Sequence, residues 1–169
     1  MTYYEDLSDY TYHGSAFYRP ATKNIGWLGL GHEFPKLAPT EELLDSIWTY
    51  CKISVAQMRG THECEFCPRG DWHHGERNGE RLLLGSSEIR VFGKGESIYA
   101  APTLIYHYAF LHHYKPPDEF LLALREGPRP PSHEYFERLK QLSLDWNRTS
   151  VPAPNATRFR LSDLPLTRR

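Results

Sequence analysis

No apolar run in this 169-residue chain approaches the roughly 20 residues that a membrane-spanning helix needs. The N-terminus, Met1-Thr2-Tyr3-Tyr4-Glu5-Asp6, has no basic region and no apolar core, so it does not read as a secretory signal. Net charge is nearly absent too, with 20 Lys and Arg against 21 Asp and Glu. That balance argues against nucleic acid or an anionic membrane as a partner. There are no Walker loop, G-x-S-x-G, H-E-x-x-H or Rossmann fingerprints, no internal repeat and no low-complexity block. These absences point to a cytoplasmic, globular chain whose size suits one domain. Cysteine is scarce, with three residues, and a reducing compartment argues that they form no structural disulfide.

What is present is organised in three parts. Residues 1–22 are polar and Tyr-rich, and are expected to pack their rings on the domain. Residues 23–146 carry the helical and strand patterns, and residues 147–169 form a Pro-rich tail. Ile25 to Leu30 reads as a short strand loosened by glycine. Leu44, Ile47, Trp48, Cys51 and Val55 recur at helical spacing and predict a helix over 41–58, capped by Thr40. Cys51 lies on that apolar stripe and is expected to be a small buried hydrophobe. Leu82 to Leu84 form a short apolar run. Glu88 to Val91 alternate as a half-buried strand, and a hairpin is expected across 87–100, turning at Gly93-Lys94-Gly95. Helices are expected over 102–114, stopped by Pro116-Pro117, over 118–126, ended by Gly127, and over 133–144, capped by Ser132. The fold class is therefore α+β: one domain with a small antiparallel sheet against three or four helices.

The chemistry concentrates in Cys64-Glu65-Phe66-Cys67. A C-x₂-C turn directs two thiolates at one point, about 2.3 Å from a bound zinc ion. No second C-x₂-C or H-x₃₋₅-H follows, so the remaining ligands must be histidines from elsewhere. His62, two residues before Cys64, shares its side on an extended backbone. His73 or His74 would reach back across the loop. On a helical wheel His107 and His112 lie about 140° apart, so the pair is poorly placed to chelate one ion together. One of them would complete a site begun by the cysteines, while His113 points to solvent. The expected ligand set is Cys64, Cys67, His62 and His107, holding Zn²⁺. Glu63, Glu65 and Glu88 are the nearby carboxylates, read chiefly as surface charges. The deaminase signature is absent, because proline follows Cys67 instead of preceding Cys64.

Several segments resemble a family of small uncharacterised bacterial proteins. They are Met1 to Ser8, Arg59 to Cys67, Ser87 to Val91, Tyr99 to Tyr108 and His112 to Pro117. The likeness covers most of 1–126. It implies a bacterial, stand-alone domain, and it places His62, Cys64, Cys67, His107 and His112 within shared motifs without supplying an activity.

Two functions from different classes follow. The first is a small zinc-binding protein with a structural Cys/His site, acting through a protein partner as an accessory module. The second is a metal-dependent hydrolase using the same cluster, with Glu88 carrying the proton. Two thiolate ligands favour the first.

Overall fold

The computed structural model describes residues 2–12, 22–68, 74–148 and 151–152. Its elements in order are β1 (Thr22–Asn24), α1 (Glu41–Cys51), β2 (Ile53–Val55), β3 (His74–Arg77), β4 (Glu80–Leu83) and β5 (Glu88–Phe92). They continue with β6 (Ile98–Pro102), α2 (Ile105–His112), α3 (Asp118–Glu126), α4 (His133–Gln141), β7 (Trp146–Arg148) and β8 (Val151–Pro152). The chain is a single α+β domain, as its patterning implies.

A five-stranded sheet in the order β1-β6-β5-β2-β7 forms the centre, and β3-β4-β8 form a second, smaller sheet. The expected hairpin is its middle: β5 pairs antiparallel with β6 from Glu88 opposite Pro102 to Phe92 opposite Ile98. At one edge β1 runs parallel to β6, and at the other β7 pairs antiparallel with β2. Both β5 and β6 are buried along their whole length, so β5 is a central strand rather than the half-buried one its alternation suggests.

The helix predicted over 41–58 stops at Cys51, because Ile53-Ser54-Val55 forms β2. The apolar stripe runs on into that strand, since Val55 satisfies the i+4 spacing while Ile53 and Val55 also satisfy period two. β-branched residues at 53 and 55 favour the strand. Thr40 caps α1 as expected, its side chain accepting from the Leu43 N–H. Cys51 is buried, with its thiol toward the Thr103 carbonyl, and burial pushes that thiol well up. Ile25 to Leu30 is not a strand; β1 ends at Asn24, and the glycine-bearing stretch runs on as irregular chain.

The end of α3 matches the expected position, but for a different reason. Gly127 has an extended backbone, not the left-handed one. Its service is close approach: a Cβ there would collide with the carbonyl oxygens of Phe92 and Ala123. Ser132 caps α4, accepting from the Tyr135 N–H. Tyr135 is buried and packs edge-on to Tyr50 of α1 and Phe92 of β5, which joins α4 to the core.

Of the Tyr-rich segment, residues 2–12 lie against the sheet. Tyr10 is fully buried, and Tyr4 and Tyr12 pack on Trp27. Asn147 and Arg148, at the start of the stretch read as a tail, belong with Trp146 to the sheet through β7. Residues 153–169 lie outside the described residues.

Candidate metal centre

The chain enters the cysteine turn from β2 and leaves it towards β3. Two backbone bonds fix the approach: Met58 donates to Ser86 O and His62 to Gly85 O. Gly85 has φ +87°, and a Cβ there would strike the His62 carbonyl oxygen. Only glycine combines that conformation with that approach. The turn closes with the Cys67 N–H on the Cys64 carbonyl, and the amides of Phe66 and Cys67 donate to the Cys64 sulfur. Gly85→Ala is expected to displace this entry, cost about 1–3 kcal/mol, and weaken metal uptake. Thermal melting together with a zinc titration would measure both.

The opposite wall is α2. Thr103, just before it, accepts from the Gly85 N–H and donates to Ser87 O, so the helix start is tied to the same strand junction. Its end is set by His113 in the left-handed conformation, followed by a bond from the Tyr114 N–H back to Tyr108 O. The N–H groups of both His113 and Tyr114 thus close on the Tyr108 carbonyl. Tyr114 is fully buried, and its hydroxyl donates to Asp6 at 2.7 Å. The closure places His112 in the last position of the helix.

Four ligand atoms converge between these walls: Cys64 Sγ, Cys67 Sγ, His107 Nε2 and His112 Nε2, all within 4.8 Å of one another. Cys64 Sγ is 3.2 Å from His112 Nε2, and Cys67 Sγ is 3.4 Å from each histidine nitrogen. The two nitrogens are 3.2 Å apart. Zinc–sulfur bonds of about 2.3 Å and zinc–nitrogen bonds of about 2.05 Å, set tetrahedrally, give S···N edges of about 3.5 Å and an N···N edge of about 3.3 Å. These four separations fall within about 0.3 Å of those edges, and the group could hold a metal ion. Burial pushes the Cys64 thiol up to about 12, so without a cation this sulfur is a protonated thiol.

The group of side chains that the structure brings together differs from the expected ligand set by one histidine. His62 is turned away, its Nε2 3.2 Å from the Tyr12 hydroxyl. The argument for it required an extended backbone from 62 to 64, whereas the chain is irregular there and His62 is held by Gly85. Partial burial lowers the His62 pKa. In its place His112 joins His107. The wheel angle between the two is real, but it concerns the bond directions at the helix surface. An imidazole carries Nε2 well beyond its Cβ, and both rings lean over Tyr108, with centroids 5.0 Å apart. Of the other histidines, His74 is exposed on β3, His113 is exposed as expected, and His73 lies outside the described residues.

The carboxylates are also redistributed. Glu63 is exposed. Glu65 accepts from the Leu30 N–H at 2.8 Å, a bond that lowers its pKa. Glu88 was expected at the surface or beside the metal; it is neither. It is 2 % exposed, accepts from the Tyr10 hydroxyl at 2.9 and 3.0 Å, and pairs with Arg90 at 2.6 Å. Arg90 is fully buried, with its guanidinium over the Tyr10 ring. Residues 88 and 90 alternate with Ile89 and Val91, but burial of both strand faces puts the polar pair indoors, where each charge must be matched.

The family comparison agrees with this single unit. Residues 2–125 match the family described as Domain of unknown function (DUF7919). The chain belongs to that family. The match takes in both halves of the metal centre and ends within α3. No curated protein matches the chain, and no solved structure does. Among the described residues, no helix is long and apolar enough to cross a membrane.

Proposed function

We propose that this DUF7919 protein binds one zinc ion through Cys64, Cys67, His107 and His112, and that the ion is structural. The observation that carries the proposal is the convergence of two sulfurs and two imidazole nitrogens at tetrahedral edge lengths. Thiolate and imidazole together suit zinc better than calcium or magnesium, which take oxygen. Four protein ligands fill a tetrahedron, whereas a catalytic zinc keeps one position for water. The hydrolytic alternative draws little support, because the group holds no carboxylate and Glu88 is engaged with Arg90 and Tyr10. Zinc held by two thiolates also fits a reducing, cytoplasmic setting.

The ion would clasp the cysteine turn to α2 and so fix the outer face of that helix. Phe110 and Leu111 on that face are 55 % and 53 % exposed. An accessory role through protein contacts follows, with this rigid apolar face as the contact surface.

Metal analysis of protein purified without chelators tests the proposal. One zinc per chain is expected. Cys64→Ser and His112→Ala should each lower the content well below one, while His62→Ala should retain it. Cobalt substitution should give the strong visible bands of a tetrahedral, thiolate-ligated ion. A metal-free protein, or a content that depends on His62 and not on His112, would refute it.

A further inference from the structure

A second candidate site shares no lining residue with the Cys/His group. A cleft of about 250 Å³ opens between the start of α1, the chain before it and α3. Its floor is apolar, built from Leu43, Leu121, Leu124 and Tyr114. Its rim carries Lys115, Arg125 and Arg129 against one carboxylate, Glu42. Lys115 is already paired with Asp118. Among the described residues, Arg125 and Arg129 belong to no ion pair; Arg129 uses only its Nε, on the Leu124 carbonyl. Two guanidinium groups that form no ion pair among the described residues thus line a mostly apolar cleft.

We infer that this cleft binds a small amphipathic carboxylate, with its apolar body on the leucines and its carboxylate on Arg125 and Arg129. The two halves of the site ask for the two halves of that ligand. The guanidinium fork matches a carboxylate in shape as well as charge. The leucine floor gains by covering an alkyl or aryl group. The size limits the ligand, because drug-sized pockets span about 300–1,000 Å³ and this cleft lies just below that range. A body of about seven to nine carbons suits it, with affinity on the millimolar scale. This inference stands apart from the metal site and shares no ligand with it.

Sodium octanoate titrated into the metal-loaded full chain is the test, read by methyl NMR with assigned leucines. Saturable shifts at Leu43, Leu121 and Leu124 are expected. The double variant Arg125→Gln, Arg129→Gln should bind octanoate about tenfold more weakly, and 1-octanol should bind wild type about tenfold more weakly than octanoate does. Arg125→Gln alone, on an exposed side chain that makes no backbone bond, serves as the control against misfolding and should show part of the loss. Absence of saturable shifts at millimolar octanoate would overturn the inference. So would equal binding of octanol, or unchanged binding by the double variant. Binding of a peptide C-terminus without binding of octanoate would also overturn it.

Discussion

Removal of the metal by a strong chelator is expected to lower the melting temperature by about 10 °C and to cost about 4 kcal/mol or more. The reasoning is one of linkage: an ion that binds the folded chain about a thousandfold below its free concentration adds about 4 kcal/mol, and structural zinc sites bind far more tightly than that. The domain should nevertheless stay folded. Its core includes Trp48, Tyr106, Leu104, Ile105 and the β5–β6 pair, none of which is a ligand in the proposed site. A zinc finger, which has almost no core, unfolds outright on chelation. Amide exchange should localise the loss to residues 62–67 and to α2, leaving β5 and β6 protected. His112→Ala should reproduce the shift without chelator, and His62→Ala should not. An unchanged melting curve after verified metal removal would exclude a structural role for the site.

The second large effect is expected at the buried ion pair. Glu88→Ala should destabilise the domain by about 3–5 kcal/mol, because it leaves the Arg90 charge unmatched in a dry interior. The Tyr10 hydroxyl would lose its acceptor as well. Replacing both partners by apolar side chains, Glu88→Leu with Arg90→Met, should recover most of that loss, since a well-packed apolar pair costs little where an orphaned charge costs much. Urea unfolding of the two singles and the double gives the coupling directly. Zinc content should stay at one per chain throughout. A Glu88→Ala penalty below about 1 kcal/mol would show that solvent reaches the pair.

Much of the fold was legible because its signals are local. Thr40 and Ser132 cap where they should, and the β5–β6 hairpin follows from its own alternation and turn, whereas α2 ends at the left-handed His113, before Pro116-Pro117 are reached. Other features rest on contacts that no local pattern carries. The parallel pairing of β1 with β6 joins residues more than seventy positions apart, and β7 enters the sheet across from β2. The end of α1 was ambiguous for a physical reason: Val55 fits either period. At the candidate metal centre the cysteines announce themselves by spacing, and the helix that carries His107 does bring it to them. His112 was set aside because a wheel treats side chains as spokes, whereas two imidazoles reach about as far as the helix is wide. Glu88 was misplaced because alternation reports the period of a strand and says nothing of what covers its polar face.

The spacing of the four ligands has one more consequence. Cys67 and His107 are 40 residues apart, and Cys64 and His112 are 48 apart. Between them lie β3, β4, β5 and β6, including the hairpin at the middle of the main sheet. A bound ion would therefore tie together, in the folded chain, the two ends of a long loop that carries four strands. It also has an order in time. On the ribosome the two thiols emerge well before the two imidazoles, and the hairpin emerges in the interval. The β5–β6 hairpin is the part that can form first, and a bound ion would close around it afterwards.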